Sequence, residues 1–188
     1  MSPVCRNGRR DPLDIVEGII CSTEIGDTKK HYRRYVDLLV SRGLIRVGSN
    51  GRIIVSEKGR LLIEKIKCLK NIFEEGRSSG SYGKEIGHVD PYMFREIYIG
   101  CLSGGKARSK YDIIACILAC GLKGSSRVHI LETCSLNTIQ FRKYLKMLLV
   151  KKMVYIRKLS NGRTVIQTTD LGRRYLESYT HIINILRQ

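Results

Sequence analysis

The segment HYRRYVDLLVSRGLIRV at 31–47 lies over QFRKYLKMLLVKKMVYI at 140–156 without a gap, at a constant offset of 109 residues. Arg33, Tyr35 and Leu39 recur as Arg142, Tyr144 and Leu148, while Tyr32/Phe141, Arg34/Lys143, Leu38/Met147, Arg42/Lys151 and Leu44/Met153 keep their chemistry. Agreement in both the apolar and the basic columns marks an internal repeat, which governs how the rest of the chain is read. The match continues downstream: Asn50-Gly51-Arg52 answers Asn161-Gly162-Arg163, and Ser56-Glu57-Lys58-Gly59-Arg60 answers Thr169-Asp170-Leu171-Gly172-Arg173. Asn-Gly between short apolar runs predicts a tight hairpin with a type I′ turn, in which both residues take positive φ. Each repeat therefore reads helix, β-hairpin, helix.

Upstream, LDIVEGIIC (13–21) resembles YDIIACILA (111–119), each with apolar residues at helical spacing. Asp11-Pro12 supplies an N-cap followed by proline at the first helical position. Between this helix and the shared segment the second repeat is longer. Its extra stretch around SSRVHILETCS (125–135) has room for a short helix, whereas only STEIGD (22–27) stands in the first repeat. The first repeat is thus expected to be a shortened copy.

Between the repeats, GRSSGSYGKEIGH (76–88) is rich in Gly and Ser and reads as a linker. Asp90-Pro91 then caps an expected helix over 91–102, ended by Gly104-Gly105. The expected organisation is a shortened repeat at 1–75, a linker and helix at 76–108, and a complete repeat with a C-terminal helix at 109–188. The fold class is α+β, mostly α.

The chain of 188 residues carries 34 Lys and Arg against 17 Asp and Glu, a net charge of +17. Such a surplus draws a protein to polyanions through release of condensed counterions, so nucleic acid is the expected partner. The charge is uneven, at +5 for residues 1–75, +2 for 76–108 and +10 for 109–188. A membrane span needs about 20 consecutive apolar residues, and the longest apolar stretches, such as Ile113–Cys120, are far shorter. The start of the chain lacks the apolar core of a secretory signal. A cytoplasmic, nucleoid-associated protein is expected. The seven cysteines contain no CxxC pair, which argues for buried small hydrophobes in place of a disulfide framework or zinc ribbon.

The second repeat reads helix (about 110–121), helix (126–133), turn, helix (137–151), hairpin (153–168) and a last helix from Asp170. That order is the order of a winged helix, whose third helix enters the major groove while the hairpin touches the flanking backbone. Asn137-Thr138-Ile139-Gln140 has the form of a capping box at the start of the third helix. Phe141, Tyr144, Leu145, Leu148 and Leu149 form its core stripe, leaving Asn137, Thr138, Gln140, Arg142, Lys143 and Lys146 toward solvent or DNA. Gln and Arg suit bidentate contacts with adenine and guanine edges, whereas Thr and Lys more often hold phosphates. In the hairpin, Arg157, Lys158, Asn161 and Arg163 are the candidate phosphate or minor-groove contacts, and Arg33 and Arg34 are their counterparts in the first repeat. An ordinary solvated helix face and a charged sheet edge are the competing explanations of the same residues.

SLNTIQFRKYLKMLLVKKMVYI, followed by the NGR hairpin and TTDLGRRYLESY, resembles archaeal winged-helix transcription regulators and chromatin-type proteins. Their third helix commonly reads L-S-x-x-Q-x-x-x-Y-L-x-x-L, then G-L-L, a wing and T-x-x-G. Leu136, Gln140, Tyr144, Leu145, Leu148, Thr169 and Gly172 fall on those positions, while Asn137 replaces Ser and Lys152-Met153 replaces Gly-Leu. Gly43-Leu44 of the first repeat keeps the family's residues. The resemblance implies binding of double-stranded DNA, often as a dimer, and no cofactor.

Other functions are weaker. Cys116 and Cys120 stand at i, i+4 with His129 and Cys134 nearby in sequence, but the spacing matches no standard zinc signature, so no metal is assigned. Gly104-Gly105-Lys106 lacks a full phosphate loop, and no catalytic constellation stands out; an enzyme is not expected. RNA binding and a protein-assembly role remain the alternatives to DNA, since phosphate attraction does not distinguish the two nucleic acids. The last helix carries Tyr175, Leu176, Tyr179, Ile182, Ile183 and Leu186 at seam spacing. Its expected partner is the same helix of a second chain, giving a homodimer; the alternative is the stripe Leu62, Ile66, Leu69 and Phe73 of the first repeat.

Overall fold

A computed structural model describes residues 11–22, 32–75 and 109–187. Its elements are α1 (Pro12–Ile20), α2 (Arg33–Ser41), β1 (Ile45–Val47), β2 (Ile53–Val55), α3 (Glu57–Glu75), α4 (Lys110–Gly121), α5 (Arg127–Thr133), α6 (Thr138–Val150), β3 (Val154–Lys158), β4 (Thr164–Thr168) and α7 (Asp170–Arg187). The predicted linker over 76–88, the helix over 91–102 and the STEIGD stretch, apart from Ser22, lie outside the described residues. The chain divides into two compact units, one of Met1–Lys67 with Ile182–Gln188 and one of Cys68–His181.

In the first unit α1 starts as its sequence predicts. Asp11 Oδ1 accepts from the Leu13 amide at 3.2 Å, and Pro12, which has no N–H to lose, takes the first helical position. Leu13, Val16, Ile19 and Ile20 of α1 are buried, as are Val36 and Leu39 of α2, Leu44 and Ile45 at the start of β1, and Leu62 and Ile66 of α3. β1 and β2 pair antiparallel, with Ile45 opposite Val55 and Val47 opposite Ile53.

In the second unit α4 is buried along nearly its whole length, from Tyr111 to Gly121. It is capped by a reciprocal pair: the Asp112 amide donates to Ser109 Oγ at 3.1 Å, and the Ser109 amide donates to Asp112 Oδ2 at 2.9 Å. Tyr179 of α7 donates its hydroxyl to Asp112 Oδ1 at 2.5 Å, and Thr168 Oγ1 donates to the Leu118 carbonyl at 2.7 Å. Gly121 lets that threonine in, because a Cβ there would lie 2.5 Å from Thr168 Oγ1. β3 and β4 pair from Val154 opposite Thr168 to Lys158 opposite Thr164. Ser125, between α4 and α5, exchanges backbone hydrogen bonds with Ile166 and so borders the hairpin as a single-residue third strand.

Both hairpins correct the expected turn. The Gly162 amide donates to the Leu159 carbonyl at 2.9 Å and the Leu159 amide to the Arg163 carbonyl at 2.8 Å; only Gly162 has positive φ, at 79°. Gly51, with φ of 75°, sits in the same arrangement between Gly48 and Arg52. These are three-residue loops closed by a left-handed glycine, not two-residue type I′ turns. The asparagine decides the outcome: Asn50 Oδ1 accepts from the Arg52 amide and Asn161 Oδ1 from the Arg163 amide, an Asx turn that keeps Asn out of the left-handed region.

Of the C-terminal stripe, Tyr175, Leu176, Tyr179 and Ile182 are buried within the single chain, while Ile183 and Leu186 are half-buried. Within the second unit the Phe73 and Tyr175 rings lie 6.3 Å apart and Cys68 Sγ lies 3.8 Å from Ser178 Oγ.

Candidate nucleic-acid interface

Three short-range devices hold α6 in its place. Ser126 Oγ caps α5 by accepting from the His129 amide at 3.2 Å. α5 then ends at Cys134, and Ser135 takes a left-handed φ of 45° so that the Leu136 amide reaches back to the Leu131 carbonyl at 2.9 Å. Asn137 Oδ1 finally caps α6 by accepting from the Gln140 amide at 2.8 Å. This is the first half of the predicted capping box; Asn137 spends its side-chain oxygen on the helix start.

Phe141 and Leu148 of α6 are fully buried and Tyr144, Leu145 and Leu149 half-buried, the stripe expected from the spacing. Asn137, Thr138, Gln140, Arg142, Lys143 and Lys146 are all exposed. No acidic residue stands in the first turn, so the partial positive charge of the helix N-terminus is left for an anion. The polar face contains one residue that sequence reasoning passed over: Ile139 is 80% exposed. Its position was legible, since 139, 142, 143 and 146 follow i, i+3, i+4, i+7, but an isoleucine draws attention only when it fails to be buried.

Arg127 is a second addition. It is exposed at the first position of α5, and its guanidinium carbon lies 5.9 Å from the centroid of the Phe141 ring, which places it beside the first turn of α6. In the hairpin, Arg157, Lys158, Asn161 and Arg163 are exposed, with Arg157 and Lys158 ending β3 and Asn161 and Arg163 in the tip. Arg33 and Arg34 are exposed in the first turn of α2, in the other unit.

No helix among the described residues is long and apolar enough to cross a membrane. Comparison with curated proteins and with solved structures returned no match. Residues 107–187 match a family model described as winged helix-turn-helix. With the order α4, α5, α6, β3, β4, α7 over the same span, this region is a winged-helix domain, a fold whose general role is DNA binding.

Proposed function

We propose that this chain binds duplex DNA as a transcription regulator or chromatin component, with α6 in the major groove and the β3–β4 wing on the flanking backbone. The observation that carries the reading is the outer face of α6, where Thr138, Ile139, Gln140, Arg142, Lys143 and Lys146 are exposed on a helix whose first turn holds no acidic residue. Gln140 and Arg142 are the candidate base readers, Ile139 suits the thymine methyl group, and Lys143, Lys146, Arg127, Arg157, Lys158 and Arg163 are the phosphate contacts.

The first unit serves in this reading as a shortened winged helix whose role is mainly architectural, with Arg33 and Arg34 touching backbone. For the last helix, pairing within one chain is favoured over the homodimer, because Tyr175 meets Phe73 and Tyr175, Leu176, Tyr179 and Ile182 are already buried, leaving Leu171, Ile183, Ile185 and Leu186 half-buried. The net charge of +17 suits a cytoplasmic, nucleoid-associated protein.

Titration of labelled duplex DNA and of structured RNA across a salt series tests the reading. Duplex binding is expected to weaken steeply, each neutralised phosphate adding about 0.9 to the log–log slope. Preference for RNA would transfer the site to the other nucleic acid, and no binding to either would leave α6 as a protein-docking face.

A further inference from the structure

We propose that Cys116, Cys120 and Cys134 form a binding site for one soft thiophilic cation, Cu(I), inside the winged-helix domain. Cys116 and Cys120 are one turn apart on the same side of α4, and Cys134 is the C-cap of α5. Their sulfurs all lie within 4.8 Å of one another, with Cys120 and Cys134 at 3.8 Å. Bonds of about 2.3 Å from sulfur to a trigonal metal ion place three thiolates about 4.0 Å apart, so the ion fits with small side-chain adjustments. Burial as small hydrophobes requires only that each thiol be packed; here all three sulfurs converge on one point.

The donor set selects the ion. No His, Asp or Glu among the described residues joins the cluster, and His129, the other candidate by sequence, is exposed. Hard cations need oxygen ligands, and structural zinc takes four ligands where this site offers three. Soft thiolates with a low coordination number favour Cu(I). All three cysteines are buried, which keeps water from the remaining coordination positions. Each sulfur that ligates as thiolate gives its proton to solvent, and no oxidant is required. Cys134 stands three residues before the cap of α6, so a bound ion would clamp α4 to α5 at the turn that sets the outward helix. The site is argued independently of nucleic-acid binding.

The test is a Cu(I) titration of the reduced full-length chain under anaerobic conditions, against bicinchoninate as competing chelator. One tight equivalent is expected, with near-ultraviolet sulfur-to-copper absorption and three sulfur neighbours by X-ray absorption. A variant with Cys5, Cys21, Cys68 and Cys101 all replaced by Ser keeps only the proposed thiols and should bind unchanged. Cys116→Ser, Cys120→Ser and Cys134→Ser should each weaken binding by at least about 100-fold, more than loss of an outer-sphere partner. Circular dichroism reports whether these core variants fold; if they do not, the fourfold variant decides. Loss of the tight equivalent in that variant, two-sulfur coordination in it, or displacement of Cu(I) by equimolar Zn(II) would overturn the proposal.

Discussion

Lys151, at the end of α6, holds the end of α3: its Nζ lies 2.5 Å from the Phe73 carbonyl oxygen and 3.9 Å from the centroid of the Phe73 ring. Glu74 Oε2 is 3.7 Å away, and the lysine side chain is 6% exposed. The last carbonyls of a helix lack intrahelical donors and attract a cation. Arg42, aligned with Lys151 at the 109-residue sequence offset, donates to the Arg187 carbonyl near the end of α7, within the first unit. Lys151→Met keeps the apolar stem and removes the charge, so urea unfolding should show a loss of about 2–3 kcal/mol. The half-exposed Arg42→Met should lose less than about 1 kcal/mol. Equal losses at both positions would mean that burial does not set the size of the effect.

Lys152 and Gly43 occupy equivalent positions, both left-handed, with φ of 52° and 65°. A side chain there costs about 1–2 kcal/mol, part of which glycine returns through the freedom of the unfolded chain. Lys152→Gly should therefore stabilise the protein by roughly 0.5–1 kcal/mol, while Gly43→Ala should destabilise it by about 1 kcal/mol. Thermal melts with opposite shifts would bear this out; a destabilised Lys152→Gly would show that contacts of the lysine outweigh the backbone strain.

Gly172 permits a close approach of α7 to the wing, since a Cβ there would lie 2.5 Å from the Met153 carbonyl oxygen. Thr169, just before α7, fixes the same corner by donating to the Lys152 carbonyl at 2.7 Å and accepting from the Gly172 amide at 3.3 Å. Ser56 and Gly59 repeat this arrangement against Leu44. Gly172→Ala meets backbone that cannot rotate away and should cost about 2–3 kcal/mol. An unchanged denaturation midpoint would mean that the corner yields freely.

Ile139 offers a test of base reading that leaves the fold intact, because it is 80% exposed. Ile139→Ala should lower affinity for the preferred duplex by about 1 kcal/mol through lost thymine contact, and Gln140→Ala or Arg142→Ala by about 1–3 kcal/mol. Lys143→Ala and Lys158→Ala should weaken all sequences alike. Uniform loss at all five positions in competition binding would reduce the face to a positioning surface.

Tyr175, fully buried and tilted by 53° against Phe73, argues for a chain that sediments as a monomer at micromolar concentration. Tyr175→Ala should then cost about 3–5 kcal/mol by leaving a cavity. A monomer has no subunit to lose, so its unfolding midpoint should not depend on protein concentration; a midpoint that climbs with concentration would favour the homodimer.

What the sequence determined by itself is local. Asp11-Pro12, Ser109 with Asp112, Ser126 and Asn137 mark helix starts because a cap acts within three residues of the group it satisfies. The outward set on α6 was legible because 3.6-residue periodicity separates it from Phe141 and Leu148. Tertiary structure alone decided what depends on distance between remote residues: that Phe73 covers Tyr175, that Lys151 ends α3, and that Cys134 joins Cys116 and Cys120 while His129 does not. It also decided the turn type, since Asn161 faces a choice between its own left-handed backbone and a side-chain bond to Arg163, and the same two letters permit either. Exposure of Ile139 belongs to the same class: hydrophobicity says what a side chain gains on burial, and only the packed neighbours say whether a place for it exists.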